Sequence, residues 1–115
     1  MSPRQPGGDT LDLLQGTLDV LVLKALVFGP RHGYAVARWI RETTAAALLV
    51  EDRALYVALH RLEDRGWNES EWGLSEKNRK AKYYQLTSRG RGELKAAAAR
   101  WERYAAAVGK VLRAT

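Results

Sequence analysis

Residues 51–67 read EDRALYVALHRLEDRGW, and this stretch decides the fold. An apolar stripe at positions i, i+3, i+4 and i+7 marks an amphipathic helix, and here it consists of Leu55, Ala58, Leu59 and Leu62. The opposite face carries Arg53, Tyr56, Val57, His60 and Arg61. Solubility alone needs only Glu or Lys, so these side chains indicate a face that binds a partner. We predict a helix over 53–65, capped by Asp52 and ended by Gly66.

The composition bounds the class of protein. The chain has 115 residues, which is enough for one domain with a modest core. A formal net charge of +6 favours a polyanionic partner, although many basic proteins bind no nucleic acid. The absence of cysteine excludes disulfides and thiolate metal sites. No segment reaches transmembrane length and MSPRQPGGDT is no signal peptide, so we expect a cytoplasmic protein without membrane contact.

Two helices are predicted ahead of the opening stretch. Residues 1–10, rich in proline and glycine, read as a flexible arm. The first helix begins at Thr17 and stops at Gly29-Pro30, because proline disfavours helical geometry in the preceding residue. After a tight turn, GPRHGY, a second helix runs over 34–43. Its inward residues are predicted to be Tyr34, Val36, Ala37 and Ile40. Residues 48–50 read as a brief strand or extended link.

A β-hairpin is predicted after the third helix. WNESEW carries aromatic residues at both ends and AKYYQLT is rich in strand formers, while the polar stretch GLSEKNRK separates them. Thr87 then begins a last helix, which Gly90 and Gly92 are expected to weaken at its first turns.

The last helix carries an apolar seam with a spacing of seven residues. Its members are Leu94, Ala97, Trp101, Tyr104, Val108, Val111 and Leu112. A seam over three heptads is wider than one small domain needs. We therefore predict that it pairs with a second copy of the chain, and the alternative is that it packs on its own domain.

This order of elements describes a mainly α winged helix-turn-helix domain with a two-stranded wing. We assign residues 11–87 to that domain and residues 88–115 to a C-terminal dimerisation helix. In this fold the third helix enters the major groove of DNA and the wing lies along the backbone. The predicted phosphate-binding cations of the wing are Lys77, Arg79, Lys80 and Lys82. The alternative for the wing is a merely solvated, charged hairpin tip.

Five stretches in order, over residues 11 to about 113, resemble the PadR family of transcriptional regulators. They are LLQGTLDVLVLKAL, GPRHGYAVARWI, LYVALHRLEDRGW, EWGLSEKNRKAKYYQLTSRG and the tryptophan-bearing tail. The similarity is closest to the short branch with a single C-terminal helix. It implies a bacterial transcription factor, usually a repressor, that binds a roughly palindromic operator of double-stranded DNA as a homodimer. It also implies that a small molecule or a stress signal relieves binding.

Roles follow for the outward face of the third helix. Tyr56 lies in LYVAL, which resembles the family's LYPAL, and its hydroxyl either reaches a phosphate or packs on the wing. The candidates for base edges are Arg53, Val57, His60 and Arg61, and an arginine matches guanine with two hydrogen bonds. For Arg61, a phosphate contact or a pair with Glu63 or Asp64 is the alternative. The wing cations position the protein without specifying sequence.

Two departures from the family pattern and one candidate pocket complete this interpretation. Arg53-Ala54 and Val57 replace small residues and a proline, so sequence preference is not transferable from the family. Asn68 replaces a branched apolar residue at the first wing strand, which costs stability unless it finds a partner. The resemblance implies that Trp101 and Tyr104 line a pocket for a flat hydrophobic effector. For Trp101 itself, ordinary interface packing is the preferred interpretation, because aromatic residues are common at interfaces that bind no ligand.

Two other classes of function fit the sequence less well. An enzyme is disfavoured because the chain has only His32 and His60, no cysteine and no phosphate-binding glycine loop. For the same reason we predict no metal site, no cofactor and no catalytic residue; His32 reads as structural or phosphate-contacting. The other class is a winged-helix module that binds protein without binding DNA. Its wing and third helix would be neutral or acidic, whereas both are basic here.

Overall fold

The computed structural model describes residues 16–115, so the arm predicted over 1–10 lies outside the described residues. The elements are α1 (Thr17–Ala25) with a following 3₁₀ turn (Leu26–Phe28), β1 (Arg31–His32), α2 (Gly33–Thr43), α3 (Asp52–Asp64), β2 (Asn68–Leu74), β3 (Lys80–Leu86) and α4 (Ser88–Arg113). This is the predicted mainly α winged-helix architecture.

The sheet has three antiparallel strands in the order β1-β3-β2. β2 and β3 form the predicted two-stranded wing, and β1 adds a third strand. The stretch expected to be a tight turn contains β1, in which Arg31 pairs with Tyr84 and His32 with Tyr83. A two-residue strand has no periodicity of its own, which is why only the tertiary pairing reveals it. We call β2, β3 and their connection, residues 68–86, the wing.

The core lies where α1, α2 and α3 meet. The predicted stripe of α3 is confirmed, since Leu55, Ala58, Leu59 and Leu62 are all 0% exposed. The face of α2 is partly different from the prediction. Val36 and Ile40 are buried, but Tyr34 is 58% exposed and Ala35 takes an inward position. The helix begins at Gly33, and its first turn places Tyr34 on the solvent side.

The helix ends follow local chemistry. α1 begins at Thr17 as predicted, and Gly66 after α3 has the positive φ of 76° expected at that position. The N-cap of α3 is Glu51 rather than Asp52, and Glu51 makes no side-chain capping bond. Asp52 is instead in the first turn, where a negative charge is favourable to the helix dipole.

The two glycines at the start of α4 lie in different surroundings, and Gly90 allows a close approach to a neighbouring segment. Thr87 Oγ1 accepts a hydrogen bond from Gly90 N at 2.9 Å and donates one to Gly66 O at 2.6 Å. A Cβ on Gly90 would overlap the carbonyl of Trp67, whereas one on Gly92 would meet nothing within 4 Å. Gly90 therefore allows α4 to pack against Trp67, in the segment between α3 and β2, which the sequence prediction missed.

Candidate nucleic-acid interface

The outward face of α3 is open to solvent. Arg53, Tyr56, Val57 and His60 are exposed, and the structure shows no hydrogen bond or ion pair of the Arg53 and His60 side chains with any described residue. Tyr56 is 49% exposed and lies over Gly33, where an added Cβ would come within 2.7 Å of its hydroxyl. Tyr56 thus packs on the start of α2 and keeps half of its surface free.

Arg61 differs from the other four residues of that face. Its Nη2 is bound to Asp19 Oδ1 on α1, and its Nε donates to Asp19 Oδ2 at 3.3 Å. The hydrogen bond to Asp19 raises the pKa of Arg61 above its usual value. The partner is on another helix, so the pairing with Glu63 or Asp64 considered from the sequence is not the one observed.

The wing has two faces of opposite charge, because side chains alternate along each strand and register partners share a face. The inner wing face consists of Asn68, Ser70, Trp72 and Leu74 of β2 with Lys80, Lys82, Tyr84 and Leu86 of β3. Asn68, Tyr84 and Leu86 are buried, which identifies the face turned toward the domain. The outer wing face carries Glu69 and Glu71 opposite Gln85 and Tyr83. The acids therefore point away from the side that carries the cations.

The inner wing face, α3 and the start of α2 enclose an open cleft of about 400 Å³. Its lining side chains include His32, Tyr34, Tyr56, Trp72, Arg79, Lys80, Lys82 and Tyr84. The cleft combines cations with aromatic rings, and it lies between the two elements for which the sequence predicted contacts with DNA. Such a combination suits a polyanion that also offers sugars and bases.

The four predicted wing cations occupy different positions. Because β2 extends to Leu74 and β3 begins at Lys80, the tip is residues 75–79 rather than the predicted 73–80, and it carries Lys77 and Arg79. Lys80 and Lys82 are on β3. Lys80 Nζ lies 5.0 Å from the ring centre of Trp72, and Lys82 Nζ lies 3.8 Å from Glu63 Oε1. Lys82 is thus half-buried against α3, while the others are exposed.

Glu63 joins the wing to α3. Its Oε2 accepts a hydrogen bond from Ser70 Oγ at 2.6 Å, while Oε1 faces Lys82. Asn68, at the base of the wing, is 2% exposed and donates from Nδ2 to Leu59 O at 3.4 Å. Its Oδ1 has no hydrogen-bond partner among the described residues, so the expected cost of this polar residue is only partly offset.

The start of α2 brings further side chains to the cleft. His32 caps α2, since its Nδ1 accepts from Ala35 N at 3.2 Å, and this is the structural role that the sequence allowed. The His32 ring stacks on the Tyr34 ring, with 6.3 Å between the ring centres. Arg38 Cζ lies 5.5 Å from the centre of the Tyr34 ring. Sequence reasoning missed Tyr34 and Trp72 as residues of this site. The alternation of residues 68–74 would have placed Trp72 on the inner wing face once the register was known.

The seam of α4 is covered only at its beginning. Leu94 packs against the core, but Trp101 is 42%, Tyr104 61% and Val111 74% exposed. Val108 and Leu112 are exposed as well. Trp101 stands between two shallow hollows, one lined by Thr17, Val20, Ala97 and Tyr104 and the other by Val20, Leu21, Leu48, Leu94 and Ala98. The sequence-predicted pocket residues Trp101 and Tyr104 are thus neighbours at one open groove.

Two further observations concern metal binding and membrane-spanning helices. Within residues 16–115 no group of three or more His, Cys, Asp or Glu side chains could hold a metal ion. In that same part of the chain, none of the helices has the length and apolar character to cross a bilayer.

Comparison with known proteins agrees with this geometry. Residues 22–96 match the model of the "Transcriptional regulator PadR-like family". The chain belongs to this family. The match spans α1 to the first turns of α4, and thus includes α3 and the whole wing.

Individual relatives of this PadR-like chain are distant in sequence and close in fold. A PadR-family regulator from Eggerthella lenta superposes with a TM-score of 0.74 at 33% identity, over 88% of this chain and 86% of that one. A transcriptional regulator from Clostridium thermocellum gives a TM-score of 0.76 at 29% identity, over 84% and 90%. An uncharacterised protein of Lysinibacillus sphaericus is 29% identical over 90 residues, which are 78% of this chain and 83% of that protein.

Proposed function

We propose that this PadR-like regulator binds operator DNA in sequence-specific fashion, with α3 in the major groove and the wing on the flanking backbone. The observation that carries the proposal is the cleft itself. Tyr56, on the exposed face of α3, and the cations of the inner wing face line one open cleft. A duplex that lies across this cleft meets the base-reading side chains of α3 next to it and the phosphate-binding cations of the wing on its other side.

The helix α3 and the wing differ in their tasks. Arg53 and His60 have no partner among the described residues and are free to meet base edges, while Val57 offers an apolar contact for a thymine methyl group. Tyr56, held over Gly33, presents its hydroxyl to a phosphate. Lys77, Arg79 and Lys80 neutralise phosphates and release counterions, which supplies affinity without sequence preference. Arg61 and Lys82 are engaged with Asp19 and Glu63 and contribute less.

The test separates these tasks by salt dependence and by selectivity. Duplex fragments bound by the wild type are first selected from genomic DNA. Replacing Arg79 and Lys80 with alanine should weaken all duplexes about equally and flatten the dependence of log K on log salt by about two units. Arg53→Ala should instead relax preference at one base position. A protein-binding module without DNA binding, the alternative function, would show no duplex affinity even at low salt.

We further propose that the active form is a homodimer on a palindromic operator. The support is the uncovered seam of α4, where large apolar side chains recur with a spacing of seven residues. Val111→Glu with Leu112→Glu should give monomers, because neither side chain belongs to the core of its own domain. Lys110→Gln, on the same helix, is the matched control. A double variant that still sediments as a dimer would refute the seam as the interface.

The proposal extends to the sign of regulation and its release. We assign the role of a cytoplasmic repressor, relieved when a flat hydrophobic effector enters the groove beside Trp101 and Tyr104. The two hollows around the indole, lined mainly by apolar side chains, support it. A planar probe such as 1-aminoanthracene should quench the fluorescence of Trp101 and release bound operator, and Trp101→Ala should abolish both. Quenching without release would leave Trp101 as an interface residue only.

A further inference from the structure

The wing exposes apolar surface in the midst of its cations. Trp72 is 63% exposed and Leu74, the next residue on the inner wing face, is 65% exposed. Leaving an indole in water forgoes the free energy of burying it, and neighbouring exposed apolar side chains usually mark a contact surface. On the same strand the adjacent outward positions are polar or small, namely Glu71 and Gly73. The apolar pair is therefore confined to the face that lines the cleft.

The chemistry of Trp72 does not suit a phosphate. An indole offers a single N–H donor and no charge, so it cannot neutralise the backbone as a lysine does. Its apolar surface instead complements deoxyribose and the edges of stacked bases, which proteins contact from the minor groove with apolar side chains. Lys80 Nζ, 5.0 Å from the ring centre, places a phosphate-binding cation beside the indole. Together they match a sugar and its adjoining phosphate.

The position of Trp72 relative to α3 decides which groove it meets. Tyr56 of α3 and Trp72 of the wing line the same cleft. With α3 in a major groove of about 12 Å, the neighbouring minor groove of about 6 Å is the one that faces the wing. An indole entering edge-on fits that width. Insertion of α3 therefore brings the minor groove to Trp72.

We propose that Trp72 packs against the deoxyribose wall of the minor groove next to the α3 contact, with Lys80 on the adjoining phosphate. The inference rests on the proposed binding of DNA and adds to it an apolar contact that no charge pattern reveals. Because every nucleotide carries a deoxyribose, this contact raises affinity for all duplexes and distinguishes little among sequences.

The first experiment compares salt titrations of duplex binding for the wild type, Trp72→Ala, Trp72→Phe and Arg79→Ala. Trp72→Ala should weaken binding about tenfold, equivalent to about 1.4 kcal/mol, at every salt concentration. The slope against log salt should not change, because no counterion contact is lost. Arg79→Ala should reduce the slope by about one unit, and Trp72→Phe should recover most of the affinity. Gln85→Ala, on the outer wing face, is the control and should bind as the wild type.

The second experiment follows the indole directly. The difference in emission between wild type and Trp72→Phe reports Trp72, and bound duplex should protect that signal from acrylamide. The inference would be overturned if Trp72→Ala bound duplexes as tightly as the wild type and Trp72 of the DNA-bound wild type stayed accessible to acrylamide. The proposed function would still stand. A reduced salt slope in Trp72→Ala would also overturn the inference, since Trp72 would then act by positioning Lys80. Absence of wild-type binding to any duplex at low salt would overturn both proposals.

Discussion

Arg61 on α3 binds both carboxylate oxygens of Asp19 on α1. The two residues are 42 positions apart in the chain, so no local sequence pattern predicts the pair. α1 contacts α4 as well as α3, and the ion pair thus ties the predicted DNA-reading helix to the element that borders the groove of Trp101. We therefore expect Arg61 to hold α3 in place rather than to read bases.

Replacement of Arg61 tests this structural role. Arg61→Gln and Asp19→Asn should each lower the free energy of unfolding by about 0.5–1 kcal/mol, because both side chains are partly solvated. The double variant should be no less stable than either single one, which a double-mutant cycle in urea measures. Arg61→Gln should also leave the salt slope of DNA binding unchanged. A slope lower by one unit would assign Arg61 to a phosphate after all.

Glu63 is expected to restrain DNA affinity. Glu63→Gln removes a negative charge beside the cleft and releases Lys82 toward a phosphate, so duplexes should bind about threefold more tightly with a steeper salt slope. The amide keeps an acceptor for Ser70 Oγ. Glu71→Gln, which removes the same charge from the outer wing face, is the matched control and should have a smaller effect. Equal gains from both variants would show that only net charge matters.

The two glycines at the start of α4 should respond to alanine in opposite directions. Gly90→Ala should destabilise the fold by about 1–3 kcal/mol, because its methyl group would overlap the Trp67 carbonyl and Leu86. Gly92→Ala meets open space and should stabilise the helix by about 0.5–1 kcal/mol. Thermal and urea unfolding measure both effects. A neutral Gly90→Ala would mean that α4 does not approach Trp67 as closely as observed.

Asn68 is expected to lower the free energy of unfolding. Asn68→Leu removes a buried oxygen that lacks a hydrogen-bond partner among the described residues, and the only bond lost is a long one. We expect a gain of about 1 kcal/mol in the free energy of unfolding. Urea denaturation provides the measurement, with Ser70→Ala as a polar-to-apolar control that breaks the bond to Glu63 and should destabilise. A loss of stability in Asn68→Leu would show that the amide is well satisfied.

The raised pKa of Tyr84 predicts that the stability of the fold changes at alkaline pH. Burial, followed by the charge of Glu63, raises its pKa above the usual 10.0, so the folded chain holds the phenolic proton more tightly than the unfolded chain. Stability is therefore unaffected below about pH 10 and falls as the pH rises toward the folded-state pKa. Tyr84→Phe should unfold with a shallower dependence on pH above 10. Identical slopes for both proteins would contradict the raised pKa.

The helices could be predicted because each encodes its period and its ends locally. The stripe from Leu55 to Leu62, the glycine after α3 and the start at Thr17 all follow from residues within one or two turns. Tyr34 was misplaced because the inward position of the first turn belongs to Gly33, and the next residue of a helix is rotated by about 100°. Strand β1 escaped prediction because two residues carry no period.

The amino-acid sequence by itself determined a basic, mainly α winged helix, the face that α3 presents and a tail with an apolar seam. Those features depend on neighbours along the chain. Only the tertiary structure decided that Arg61 faces Asp19, that Gly90 admits α4 against Trp67, and that Trp72 shares a cleft with Tyr56. Such pairings join residues far apart in the chain, and their partners are selected by the packing of whole elements. For that reason the candidate DNA-binding surface could be predicted from the sequence, while the ion pairs that engage Arg61 and Lys82 within it could not.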